Sequence, residues 1–294
     1  MNSATQTFSQ SSAEPALWYN QPAQTTADGI GYWQVGDKGT PVLLVMGFGM
    51  SGLAWEPQVD ALCRHHRVAL FDHVGMCTSR DLHPKESRSM KDLAHHALSV
   101  MDHLGWDKAH IAGVSLGGMI TQQMALLAPE RFLSMTLIAT TPGGLFSPMP
   151  TMQGLRGFLK ANAAKTAEER LKAIRTLLFP PEYLALSEPS QGRSNIPWSP
   201  APAKTRLAHL RAVIKFNSRR KLKKLESLPT MIVRPGKDIL VPPSESDMLK
   251  KLLPHAEVLD LPMGGHGVMW QHREEINQGL LRHFKQVDKE VTEA

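Results

Sequence analysis

Residues 109–127 read AHIAGVSLGGMITQQMALL. The first six form a short run that suits a buried strand, and the last twelve repeat apolar residues at helical spacing. Between them, Gly113-Val-Ser115-Leu-Gly117 is a G-x-S-x-G turn flanked by a strand and a helix, the setting in which that motif makes a nucleophile elbow. The reason is steric. The turn forces the serine into a strained backbone conformation that lifts Oγ off the sheet. The positions two before and two after crowd the turn, so both must be glycine or nearly so. The helix start beneath Ser115 adds a positive dipole end that favours developing negative charge.

Working outward, six more runs read as strands: Ile30–Val35, Pro41–Met46, Arg67–Asp72, Met135–Ala139, Met231–Arg234 and Ala256–Leu261. Several, such as VLLVM and VALF, are continuously apolar, as a strand covered on both faces must be. Helical patterns alternate with them. Met90–Leu104 has a 3.6-residue apolar period and stops at Gly105, and Gln271–Phe284 reads as a terminal helix. Alternating strands and helices predict an α/β fold with a mostly parallel sheet. The alternation lapses between Pro142 and Pro229. There Thr166-Ala-Glu-Glu169 resembles a capping box for a helix running to Leu178, and Arg206–Phe216 suits another helix. Ser187–Pro202 reads as a loop. A helical insertion in a sheet protein is a candidate lid.

A serine hydroxyl needs a base. Gly264-Gly-His266-Gly267 follows the last strand and places an imidazole in a glycine-rich loop before the last helix. His65, His66, His95, His96 and His103 fall on helical or charged segments and read as surface, while His73 at a strand end is the one rival base. The acid that would orient His266 is Asp238, in Pro235-Gly-Lys-Asp238-Ile-Leu-Val-Pro242 after another strand. Leu116 and Phe48, the latter in the Met46-Gly47-Phe48-Gly49 loop, offer the two backbone N–H groups an oxyanion would need. An apolar pocket is expected from Phe48, Met50, Leu116, Met119, Val241 and Val268.

A competing pattern overlaps this one. Gly47-Phe-Gly49-Met-Ser-Gly52 is G-x-G-x-x-G after a strand, and Asp72 lies at the end of the next strand, as a dinucleotide fingerprint requires. That reading makes the chain an NAD(P)-binding oxidoreductase. It wants a helix to begin inside the glycine loop, whereas the apolar pattern resumes only near Val59, and it leaves GVSLGG and GGHG unexplained.

Taken together, the MGFG loop, FDHVGMCTS, GVSLGG, GKDILVPP and GGHG resemble the α/β-hydrolase fold superfamily, over about Gly31 to Phe284. The serine, acid, histidine chain order is that of these enzymes. The resemblance implies a mostly parallel eight-stranded sheet flanked by helices, with a helical cap after strand six. It divides the chain into a flexible tail (1–27), a core (28–141 and 230–294) and a cap with its return to the core (142–229). It also implies a serine esterase working through an acyl-enzyme on a small apolar ester, with catalytic Ser115, Asp238 and His266, or a related triad chemistry such as carbon–carbon bond hydrolysis, lactone opening or perhydrolysis. A receptor-like member of the fold that only binds its ligand is the further alternative. The family's usual histidine is replaced by Met46, and Asp72-His-Val-Gly75-Met-Cys-Thr-Ser79 lacks its arginine and second glycine.

Composition sets the remaining bounds. The 294 residues are 42% hydrophobic and 20% charged, ordinary for a globular chain. No apolar run approaches the roughly 20 residues of a membrane span. The N-terminal stretch has no basic region or apolar core of a secretory signal. Cys63 and Cys77 make no disulfide framework or zinc pattern, so a reducing, cytoplasmic setting is expected, with no metal and no cofactor. Net charge is +6, and residues 215–224, KFNSRRKLKK, hold six basic residues, which read as a solvated helix rather than a nucleic-acid surface. The expected partner is a small-molecule substrate.

Overall fold

The computed structural model describes residues 18–83, 89–144, 147, 150–186 and 201–293. Its eight strands are β1 (Gln24–Thr25), β2 (Gly31–Val35), β3 (Pro41–Val45), β4 (Arg67–Phe71), β5 (Ala109–Val114), β6 (Phe132–Ile138), β7 (Thr230–Pro235) and β8 (Glu257–Leu261). They form one sheet in the order β1-β2-β4-β3-β5-β6-β7-β8. The β1–β2 and β2–β4 pairs are antiparallel and all others parallel. The helices are α1 (Glu56–Leu62), α2 (Met90–His103), α3 (Leu116–Leu127), α4 (Met152–Ala163), α5 (Ala167–Leu178), α6 (Pro181–Leu186), α7 (Ala203–Lys215), α8 (Pro243–Leu252), α9 (Val268–Gln271) and α10 (Arg273–Glu293).

Strand alternation builds two cores. On β3, Leu43 and Val45 enter a cluster shared with α2 and α3, while Val42 and Leu44 enter one shared with α1 and α10. A central strand can therefore be apolar on every residue, as β3 is. Local signals fix the ends. Ser89 caps α2 with Asp92 reciprocating, and Thr166 and Glu169 form the capping box of α5 expected from the sequence.

Among the described residues four helices, α4 to α7, stand between β6 and β7. The pair α4 and α5 has its own small core of Ala161, Ala173, Ile174, Leu177 and Leu178. Helix α7 instead joins the main core through Ala208, Ala212 and Phe216. Residues 187–200, most of the loop read from the sequence, lie outside the described residues.

Three expectations are corrected. Residues 18–27 are ordered rather than tail: β1 extends the sheet, Tyr32 Oη donates to Gln24 and Trp33 Nε1 donates to the Gln21 carbonyl. The basic stretch is solvated at Lys215, Arg220, Lys221, Lys223 and Lys224 but is not one helix. Its Arg219 donates to the Gly143 carbonyl and pairs with buried Glu245, and Leu222 is core, so it closes the excursion onto its own start. His66 is buried rather than surface, edge-on to Phe284, because β4 begins beside it and α10 covers it.

No described helix is long and apolar enough to cross a membrane. Burial pushes two histidines far down: His209, further lowered by His73 and His96, to about 3, and His283 to about 4, where Glu257 opposes the shift and His110 and Arg282 add to it. Both stay neutral in the fold, whereas the unfolded chain takes protons below its ordinary value of 6.5. Their stabilisation is complete above about pH 6.5 and is lost as pH falls toward 4 and 3. Urea unfolding at pH 7 and pH 5 should show a loss of about 2 kcal/mol per histidine at the lower pH; equal stability at both would contradict their neutral burial.

Candidate active site

The elbow has the strained form expected. Ser115 has φ 56° and ψ −119°, and its neighbours pin it there. Its N–H donates to the Ile138 carbonyl at 2.9 Å, and the Thr140 hydroxyl donates to its carbonyl at 2.7 Å. A Cβ on Gly113 would lie 2.4 Å from the Gly117 carbonyl oxygen, and one on Gly117 would lie 2.0 Å from that of Val45. Both glycines are therefore demanded by close approach, as the motif implies.

Asp238 is buried and fully committed. Its Oδ1 accepts from the N–H groups of Leu240 and Val241, at 2.8 and 2.9 Å, which folds the acid loop around it. Its Oδ2 lies 2.7 Å from His266 Nδ1. A carboxylate can only accept, so His266 carries its hydrogen on Nδ1 and leaves Nε2 as the basic nitrogen. The glycines around His266 serve close packing rather than freedom to swing. A Cβ on Gly265 would meet the Leu178 carbonyl at 2.5 Å, and Gly267 N–H donates to that carbonyl at 2.7 Å.

Ser115 and His266 open onto one cavity of about 80 Å³. Met46, Gly47, Phe48 and Met50 form one wall, Phe158, Ala161 and Asn162 of α4 another, and Ile174, Leu177 and Leu178 of α5 the roof. Met269 and Trp270 also line it, and among the described residues no charged side chain does. The Phe48 N–H has no acceptor among the described residues, and Leu116 offers one of the N–H groups left unused at a helix start. Of the pocket residues expected, Phe48 and Met50 line the cavity. Leu116, Met119 and Val268 are instead buried in the two cores, where strand and helix packing claims their side chains, and Val241 lies outside the lining.

His73, the rival base, is buried and spends its Nε2 on the Met46 carbonyl at 2.8 Å. The dinucleotide reading also meets an obstacle. Asp72 accepts from Ser51 Oγ, Gly52 N–H, Thr78 N–H and Thr78 Oγ1, so its carboxylate is consumed inside the protein. Gly52 opens a short 3-10 turn pressed on the Phe71 backbone, which explains the glycine without a pyrophosphate.

Helix α4 was not legible as a helix, and it supplies three cavity residues. Its signal was Thr151, whose side chain caps Gly154 N–H, followed by Met152, Leu155 and Phe158 at helical spacing. Gly154 and Gly157 mask the pattern, yet each is there for contact, with the Ile239 carbonyl and with Leu177.

A family model described as the alpha/beta hydrolase fold matches residues 40–273. The chain belongs to the α/β-hydrolase fold family. Similar members include a protein of Azorhizobium caulinodans named carbamate hydrolase RutD, 29% identical over 88% of this chain and 96% of its own. A RutD of Serratia proteamaculans is 29% identical over 85% of this chain and 94% of its own. Among solved structures, a hydrolase from Pseudomonas aeruginosa superposes with a TM-score of 0.74 at 24% identity, over 90% of this chain and 98% of that one. An enol-lactonase from Burkholderia xenovorans gives 0.73 at 20%, over 90% and 100%. In this α/β-hydrolase fold the elbow's glycines should tolerate least. Gly117→Ala is expected to cost at least about 3 kcal/mol of stability. Gly105→Ala has open space but a φ of 65°, and should cost only about 1–2 kcal/mol. Chemical denaturation of the two variants checks the order.

Proposed function

We propose that this protein is a serine hydrolase that cleaves small, uncharged, largely apolar carboxylic esters through an acyl-enzyme. The observation that carries the reading is the convergence on one cavity of a strained Ser115 and a His266 whose Nδ1 is held by Asp238. In this scheme His266 Nε2 takes the proton from Ser115 Oγ as the oxygen attacks the carbonyl. The Phe48 and Leu116 N–H groups receive the oxyanion. His266 then protonates the departing alkoxide, and a water activated by the same nitrogen releases the acid. Asp238 holds the tautomer and stabilises the imidazolium.

The lining limits the substrate. A carboxylate or ammonium in this cavity would lose its hydration with no opposite charge to meet it. The volume of about 80 Å³ accommodates about six water molecules, which suits a short acyl group. The names of the RutD relatives make a carbamate carbonyl a second substrate class, since the same attack and the same oxyanion site would serve it. In this reading residues 142–229 act as the cap over a core of 28–141 and 230–294.

A fluorophosphonate probe should label the wild-type chain at Ser115 and leave Ser115→Ala unlabelled, with the variant's circular dichroism unchanged and its ester turnover gone. Labelling or turnover that survives the substitution overturns the nucleophile assignment, and a labelled protein that turns over neither esters nor carbamates points to the receptor-like alternative. Across p-nitrophenyl esters, acyl chains up to about four carbons should exceed octanoate at least about tenfold in kcat/KM, and Leu177→Ala should narrow that gap by opening the roof, since one or two methylenes are worth about 1–3 kcal/mol.

A further inference from the structure

We propose that His73 is a positioning residue for the oxyanion loop, holding the peptide between Met46 and Gly47 by a hydrogen bond from its imidazole Nε2–H to the Met46 carbonyl. For its kinetic readout this rests on the acyl-enzyme reading above. The geometric claim stands on its own.

His73 stands two residues beyond the end of β4 and is buried, with Nε2 2.8 Å from the Met46 carbonyl oxygen. A carbonyl only accepts, so the ring carries its hydrogen on Nε2. Met46 follows β3 directly and is itself buried. The next residue presses against the nucleophile: a Cβ on Gly47 would lie 3.2 Å from the Val114 carbonyl oxygen and 3.3 Å from Ser115 Cβ. In a trans peptide the carbonyl and the following N–H point in opposite directions. Fixing the Met46 carbonyl toward His73 therefore fixes where the Gly47 peptide faces. One residue further on, it sets the direction of the Phe48 N–H over the cavity.

The imidazole is itself fixed by rings. Phe71 stands edge-on to it at 5.3 Å and His209 of α7 at 5.6 Å. His209 in turn meets Phe48 at 6.2 Å, and Phe48 meets Phe158 of α4 at 5.9 Å. His209 is wholly buried and neither ring nitrogen has a hydrogen-bond partner among the described residues, so it contributes a ring wall rather than a bond. The sheet, α7 and α4 thus clamp one short loop from three sides, and His73 supplies its hydrogen bond to that loop's backbone. Without it the Met46 carbonyl would be buried unpaired.

The test compares the full-length wild type with His73→Phe, which keeps a ring but loses the donor, and His73→Gln, whose amide can still donate to Met46. Steady-state turnover of a short-chain p-nitrophenyl ester should show kcat down about 10–100-fold in His73→Phe with KM within about twofold, and His73→Gln restored to within about fivefold of wild type. Amide hydrogen exchange at Gly47 and Phe48, which needs no substrate, should quicken at least about tenfold in His73→Phe and stay near wild type in His73→Gln. If His73→Phe does not fold by circular dichroism, His73→Asn, whose amide falls short of Met46, takes its place. Exchange that is unchanged in the donor-less variant, or equal loss in both variants, overturns the proposal. A wild type that turns over neither esters nor carbamates but shows the predicted exchange pattern would instead sink the acyl-enzyme reading and leave the positioning role standing.

Discussion

The whole site hangs on the backbone of one residue. A serine at φ 56° and ψ −119° costs about 1–3 kcal/mol, and it persists because the surroundings leave it no other conformation. The Ile138 carbonyl at the end of β6 takes its N–H, Thr140 just beyond holds its carbonyl, and Gly117 is wedged against the end of β3. Three adjacent strands thus fix one turn. The cavity floor, the start of α3 and the direction of the Ser115 side chain all follow from that constraint, which is why the nearby glycines have no room for even a methyl group.

The helices over the cavity are tied to the same machinery by backbone bonds rather than by side chains alone. At the start of α4, the Thr151 N–H and hydroxyl both donate to the Ile239 carbonyl, one residue beyond Asp238. At the end of α5, the Leu178 carbonyl accepts from Gly267, one residue beyond His266. The helices α4 and α5 and the two loops that carry Asp238 and His266 therefore share a frame. Displacing α4 and α5 as a body would strain both loops together, so the size of the cavity and the alignment of His266 with Asp238 are coupled properties of this fold.

Much of this was legible in the sequence because it obeys local rules. The elbow, six of the strands within a few residues, the capping box of α5 and the acid and histidine loops each carry a signature within about ten residues. What escaped depends on contacts far apart in the chain. Two-residue β1 is too short to show alternation and exists because β2 offers it an edge. Glycines in α4 look like helix breakers until Ile239 and Leu177 are seen against them. Arg219 reads as one more solvated cation until Glu245 and the Gly143 carbonyl are brought to it. His73, placed correctly at a strand end, was open to two roles. Only the Met46 carbonyl at 2.8 Å separates a backbone prop from a base.

The molecule also contains a second grouping of serine, histidine and aspartate, and the contrast shows what makes the first one chemically special. His110 lies 2.8 Å from Ser134 Oγ through Nδ1 and 3.1 Å from Asp288 through Nε2, with Thr40 also donating to that carboxylate. Ser134 lies within β6 in extended backbone and is fully buried, and although Asp288 lines a surface cavity of about 850 Å³, Ser134 does not. Asp288 arrives from α10, and the effect is to dock that helix on the strand starts. Hydrogen bonding alone would rank the second grouping first, since its serine is bonded to its imidazole whereas His266 is bonded to Asp238. What separates them is access and backbone: one serine is thrust by a strained turn into a cavity at the carboxyl ends of the strands, and the other is sealed in a sheet. An imidazole can lower the barrier to attack only where a carbonyl can reach the oxygen it would activate, and of these two serines Ser115 is the one that lines a described cavity.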